Sequence, residues 1–157
     1  MNELKTLAKQ VSEDKIVQIG CSILDPNGNR ISRGFNILPI RLSCDSSFSS
    51  IWEKKDVDIG NGVTLNKREI VTHAEISALN SMRYRWHNYY FPSLICVVTA
   101  YPCAACAIQL LDAGIRNIIY DYNPGLNNHE AKAYKAKWIF NHFNDKDALF
   151  IKSINEI

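Results

Sequence analysis

The sequence predicts an α/β fold: a three-layer α/β/α sandwich around a mixed central sheet of about five strands, formed as a single domain over residues 1–157. Three observations carry this. A β-rich run at 16–24, a turn signal at Asp25-Pro26-Asn27-Gly28 and a second extended run at 30–36 read as an antiparallel hairpin. Beyond it the chain alternates helix and strand three times, which places helices on both faces of a mixed sheet. A chain of 157 residues, 46% hydrophobic and without repeats or linkers, can bury one core.

The elements follow in order. Leu4, Leu7, Ala8 and Val11 recur at i, i+3, i+4 and i+7, so residues 2–12 read as an amphipathic helix. The hairpin comes next. Residues 40–70 are the least regular stretch, Ser-rich at 43–50 with Gly60-Asn61-Gly62 as a turn; a long loop in a compact domain points to a role in shaping a site. From Thr72, read as an N-cap, a helix places Ala74, Ala78, Leu79 and Met82 on one face. Leu94–Ala100 is an apolar, β-branched strand. Pro102 opens a second helix that buries Ala107, Ile108, Leu110 and Leu111 and ends at Gly114. A strand at 115–120, a helix at 128–143 and a strand at 149–154 complete the chain.

Composition narrows the partners. Eighteen Lys and Arg against sixteen Asp and Glu leave a net charge of +2, too little to argue for a nucleic-acid partner but compatible with a small anionic ligand. No N-terminal apolar run is flanked by positive charge, and no stretch of 18 apolar residues occurs, so no membrane is expected and the location read is cytoplasmic. The five cysteines (Cys21, Cys44, Cys96, Cys103, Cys106) are few and odd in number; in such a chain Cys-x-x-Cys reads as metal-binding or redox before disulfide.

Two strings carry chemistry: His73-Ala74-Glu75 and Pro102-Cys103-Ala104-Ala105-Cys106. One imidazole and two thiolates make three zinc ligands, and three protein ligands leave the fourth tetrahedral position open, as a catalytic site requires. Each string opens a helix. Cys103 and Cys106 share a face of the first turn, where the positive dipole end favours thiolate. Zinc held there can activate water at neutral pH. Glu75, two residues from the histidine, can carry protons without ligating. The competing reading is structural zinc closed by a fourth ligand from Cys21, Cys44, Cys96, His87, His129 or His142. The joint order of the two strings favours catalysis.

His-x-Glu followed by Pro-Cys-x-x-Cys is the signature of zinc nucleobase deaminases. At these residues the chain resembles the cytidine deaminase-like superfamily, and within it the phage-type deoxycytidylate (dCMP) deaminases. Val71–Leu79 resembles the first zinc motif and Val98–Ala107 the second. Ala113–Tyr120 is similar to an Ala-Gly-Ile…Tyr stretch, and Gly34-Phe35-Asn36-Ile37-Leu38-Pro39 to an upstream Gly-aromatic-Asn-Gly-x-Pro loop. The resemblance implies zinc on His73, Cys103 and Cys106, Glu75 as proton shuttle, the Ala74 N–H facing the base, and Asn36 bonded to the sugar and base region. It also implies a nucleotide substrate, with dCMP and water giving dUMP and ammonia, and a homo-oligomer, dimer or hexamer. A phage protein would act in the host cytoplasm.

The chain departs from that pattern at Ser77, where the family carries asparagine, at Ile37, where it carries a second glycine, and at Ile40-Arg41, where it carries Arg-Gly. The changes at Ile37 and Ile40-Arg41 fall on the loop that the resemblance links to nucleotide regulation, and all three leave the zinc residues untouched. Arg33, Arg41, Lys67 and Arg68 are candidates for a phosphate, and Tyr101, Tyr120, Tyr122 and Trp52 for stacking on a base. Two other readings stay open: deamination of another nucleotide, tRNA or single-stranded nucleic acid, and a non-catalytic zinc-stabilised binding domain.

Overall fold

The computed structural model describes residues 1–12, 17–38, 56–82, 89–121, 130–143 and 150–156. Helix α1 (Asn2–Val11) precedes the hairpin strands β1 (Gly20–Leu24) and β2 (Arg30–Phe35). The Asp25 carboxylate closes their turn by accepting the Asn27 and Asn29 N–H groups at 2.9 and 2.8 Å, while Gly28 takes the left-handed conformation (φ 83°). There follow β3 (Asp56–Gly60), β4 (Val63–Asn66), α2 (Lys67–Ile70), α3 (Ala74–Met82), β5 (Ile95–Val98), α4 (Ala104–Asp112), β6 (Asn117–Tyr120), α5 (Glu130–Phe143) and β7 (Phe150–Ser153).

The central sheet runs β2-β1-β5-β6-β7. Strand β1 is antiparallel to β2 and β5, whereas β5, β6 and β7 are mutually parallel. This is the mixed five-stranded sheet expected from the hairpin and the alternation after it. Register sets the layers: Cys21 lies opposite Val98, Ile23 opposite Cys96 and Cys96 opposite Ile118, so these five side chains share one face. They are buried against α3, α4 and α5, through residues such as Ala78, Leu110 and Phe140. The opposite face receives α1, whose Leu4 and Ala8 pack with Phe35 and against Gly20. Lys5 of α1 pairs with Asp121 just beyond β6.

The irregular stretch expected at 40–70 is corrected over 56–70, where a second hairpin and a short helix stand. Asp58 lies opposite Thr64 and Val57 opposite Leu65, and the turn between them uses positive φ at Gly60, Asn61 and Gly62. Polar and apolar residues do alternate there, but over four or five positions on each side, too few to stand out from loop composition. The positions 40–55, with Arg41, Cys44 and Trp52, lie outside the described residues, as do Tyr122, His87 and His129. Predicted strand ends also contract: β1 starts at Gly20 rather than residue 16, and β5 ends at Val98 rather than Ala100.

One glycine decides where α3 lies. A Cβ on Gly34 of β2 would collide with the backbone of α3 at Ala74 O and Ala78 N. Backbone atoms cannot rotate away, so the helix sits on β2 at a distance that only glycine permits. Gly34→Ala is expected to cost about 3 kcal/mol, the upper range for overpacking. Urea denaturation measures this; an unchanged midpoint would contradict the close approach.

Candidate active site and metal centre

Both motif strings end up as helix starts. The first i→i−4 bond of α3 runs from the Ser77 N–H to the His73 carbonyl at 2.9 Å, and that of α4 from the Ala107 N–H to the Cys103 carbonyl at 2.8 Å. His73 and Cys103 therefore take the N-cap positions, and Cys106 lies in the first turn of α4. Thr72, expected as N-cap, sits one residue too early; it pairs instead with Ile37 in an isolated antiparallel bridge. Pro102 lies just outside α4 rather than in its first turn. Gly114 ends the helix as expected, at φ 90°, with the Gly114 and Ile115 N–H groups bonding back to Leu111 and Leu110.

The two helix starts bring three ligand atoms together. His73 Nδ1 lies 3.6 Å from Cys103 Sγ and 3.4 Å from Cys106 Sγ, and all three atoms fall within 4.8 Å of one another. A tetrahedral zinc bound to sulfur at about 2.3 Å and to imidazole at about 2.0 Å sets its ligand atoms roughly 3.6–3.8 Å apart. The geometry and the donor set both fit that ion. Among the described residues this is the group of His, Cys, Asp and Glu side chains placed to hold a metal.

The electrostatics agree. A hydrogen bond from the Cys106 thiol, helped by His73, holds the Cys103 thiol down to about 4 against the upward push of burial. The same bond, burial and the nearby Glu75 charge push Cys106 up. The two sulfurs thus bias each other in opposite directions, and both would be thiolates as zinc ligands. Glu75 is buried, 4% exposed, and outside the ligand group. Burial raises its carboxyl above the usual range, opposed by its own backbone N–H and by His73. A buried carboxylate beside this group but outside it could exchange protons with a molecule bound at the metal.

Several candidates for a fourth ligand or a second metal are placed elsewhere. Cys21 and Cys96 are fully buried in the sheet face, their sulfurs 3.5 Å apart. His142 is exposed on α5, stacked on Trp138 with ring centroids 3.8 Å apart. Of the base-stacking candidates, Tyr101 packs edge-on against Tyr120 at 4.8 Å and Phe140 at 6.1 Å, and burial lifts its hydroxyl to about 12. Both tyrosines join the core packing. Arg33 is exposed on β2, and Lys67 and Arg68 belong to α2.

Asn36 and Ala74 are joined to each other: the Ala74 N–H donates to Asn36 Oδ1 at 3.1 Å. Asn36 Nδ2 donates to the Val17 carbonyl at 2.9 Å, and Ser12 Oγ donates to the Asn36 carbonyl at 3.2 Å. Sequence reading missed Gly34 as the residue that seats α3 and Ser12 as a partner of Asn36. Glycine before an aromatic was the available signal for the first; nothing local marks the second.

Residues 1–122 match the family described as the cytidine and deoxycytidylate deaminase zinc-binding region. A protein of Caenorhabditis elegans named probable deoxycytidylate deaminase is 29% identical over 125 residues, covering 80% of this chain. The match takes in 54% of that protein, so the chain corresponds to about half its length. The dCMP deaminase of cyanophage S-TIM5 shares the fold at a TM-score of 0.61 with 18% identity, over 97% of this chain and 92% of the phage chain. A structure from studies of A-to-I editing by tRNA:A34 deaminases at the wobble position of transfer RNA gives a TM-score of 0.59 with 19% identity, over 97% and 95% of the two chains.

Proposed function

The chain belongs to the cytidine and deoxycytidylate deaminase zinc-binding family, and we propose that it converts dCMP and water to dUMP and ammonia. The observation that carries the reaction type is Glu75, buried and non-ligating beside a three-ligand group whose spacing fits zinc. The worm and phage relatives, both named for dCMP, support the substrate.

In this reading His73 Nδ1, Cys103 Sγ and Cys106 Sγ hold the zinc. Bound there, zinc supplies the Lewis acidity that makes water a nucleophile at neutral pH. Glu75 takes one proton of the water and delivers it to the ring nitrogen beside the reacting carbon, then takes the remaining proton from the oxygen added to that carbon and passes it to the departing amine. A bond from that carbon to oxygen replaces its bond to nitrogen, and ammonia leaves. Burial suits Glu75 to this work, since a raised carboxyl pKa brings proton uptake and release closer to neutral pH. The Ala74 N–H is the proposed donor to the base carbonyl, which would share it with Asn36 Oδ1. Assembly as a dimer or hexamer belongs to the same reading; light scattering on the purified protein tests it.

Substrate class is tested by ammonia release from dCMP, dCTP, deoxycytidine, adenine and guanine nucleotides, and tRNA. The expected result is turnover of dCMP at least about tenfold above every other compound in kcat/KM. Turnover of tRNA alone would replace this reading with tRNA editing, which shares the fold. In the described residues no helix is long and apolar enough to cross a membrane.

A further inference from the structure

We propose that Asn36 is a positioning residue: its side-chain amide holds the first turn of α3 through the Ala74 N–H, and thereby fixes where His73 and Glu75 stand. The catalytic part of this inference rests on the deaminase reading above; the structural part does not.

The first N–H groups of a helix lack partners within the helix; an N-cap side chain normally accepts the second or third of them and leaves the first to another acceptor. In α3 the N-cap position is His73, whose Nδ1 is turned to the two cysteine sulfurs. The imidazole is thus committed to the ligand group, and another part of the chain supplies the acceptor. That acceptor is Asn36 Oδ1, at the end of β2, 3.1 Å from the Ala74 nitrogen in a buried setting. Ala74 is fully buried and sits between the two residues that matter, His73 and Glu75.

Asn36 is itself held on three sides. Its Nδ2 donates to the Val17 carbonyl at 2.9 Å, so one end of the amide faces an acceptor and the other a donor, which fixes its orientation. Its own carbonyl accepts the Ser12 hydroxyl at 3.2 Å, and Ser12 is fully buried. The next residue, Ile37, exchanges two backbone hydrogen bonds with Thr72, at 3.1 and 2.9 Å. The segment from Asn36 to Ile37 therefore grips Thr72 to Ala74 at three points. Asn36 is 5% exposed and both ends of its side chain are already bonded to backbone. One N–H and one lone pair of the amide are thus committed, and through that lone pair Asn36 holds Ala74 whatever its second N–H meets. A shift of about 1 Å in the first turn of α3 would move His73 and Glu75 together, enough for losses near 100-fold.

Asn36→Ala and Asn36→Asp test this in the zinc-loaded protein, by amide hydrogen exchange and steady-state kinetics. Asn36→Ala removes the acceptor: the Ala74 amide is expected to exchange at least about tenfold faster while the Ser77 amide, bonded within the helix, keeps its rate. Its kcat on dCMP should fall about 10- to 100-fold with KM little changed. Asn36→Asp retains an acceptor for the Ala74 N–H and should restore Ala74 protection and part of kcat at pH low enough to protonate its carboxyl, where the O–H replaces the donor to the Val17 carbonyl. An unchanged Ala74 rate in Asn36→Ala, or a loss confined to KM in both variants, would overturn the proposal, the latter by showing direct contact with substrate. Should Asn36→Ala not fold, scalar coupling across the hydrogen bond between Ala74 N and Asn36 Cγ in the wild-type protein decides: its presence supports the proposal and its absence overturns it. Exchange and coupling report on Asn36 whether or not dCMP is turned over, so failure of the deaminase reading is a separate result.

Discussion

Glu75→Gln is expected to keep its zinc and to deaminate at least about 100-fold more slowly than the wild-type protein, the lower range for loss of a general acid–base group. The amide matches the carboxylate in shape, so the packing of α3 survives. It cannot take a proton from water and return it to nitrogen. In the zinc-free protein the substitution should also leave stability equal or slightly higher. Burial raises the Glu75 carboxyl in the folded chain, so the folded state binds this proton more tightly than the unfolded one. As pH rises from the unfolded carboxylate value through the raised folded value, ionisation therefore costs stability; a neutral amide escapes that cost. Metal content by elemental analysis, ammonia release and thermal melting measure the three parts. Near-normal turnover would sink the proton-shuttle role of Glu75, and loss of zinc together with activity would make it a ligand or support.

The same variant would separate catalysis from a zinc that only holds the fold together. A structural centre closes its fourth position with protein and has no use for a buried carboxylate, whose desolvation is unfavourable. Here the sulfurs of Cys21 and Cys96 meet each other inside the sheet, and His142 is stacked on an exposed helix face, so none of the three joins the ligand group. Cys44, His87 and His129, the other three candidates, lie outside the described residues.

Residues close in sequence were the legible ones. Cys103 and Cys106 declare a shared helix face by their spacing, His73 and Glu75 are marked by the His-x-Glu string, and the apolar runs at 94–100 and 115–120 announce strands that the sheet then shortens to Ile95–Val98 and Asn117–Tyr120. Contacts made across long stretches of chain were not. The Asn36–Ala74 bond joins positions 38 apart, and the bonds to Ser12 and Val17 depend on how α1 and the following segment return to the end of β2. Tyr101 and Tyr120 show the same limit: as sequence they could stack on a base or on each other, and the parallel pairing of β5 with β6 sets them edge to edge. The hairpin at 56–66 escaped because its alternation is short and its composition is that of a loop.

Cys103→Ala is expected to lose zinc, activity and the stabilisation that zinc confers. Three protein ligands fall to two, and the loss should exceed the 10- to 100-fold drop in affinity that even an outer partner of a metal ligand typically causes. Linkage converts this into a melting measurement. Zinc at a hundredfold excess over its dissociation constant stabilises the wild-type fold by about 2.7 kcal/mol, which for a chain of this size raises the melting temperature by roughly 5–10 °C. The variant at the same zinc concentration should show little of that rise. Without zinc the two proteins should melt close together, because Cys103 is only half-buried and its side chain makes no capping hydrogen bond to α4 that alanine would lose. The zinc-dependent difference therefore isolates the ligand role from any packing role of the side chain. Full zinc occupancy in Cys103→Ala, or an undiminished zinc-dependent rise in melting temperature, would remove Cys103 from the metal centre and reopen the search for the third ligand.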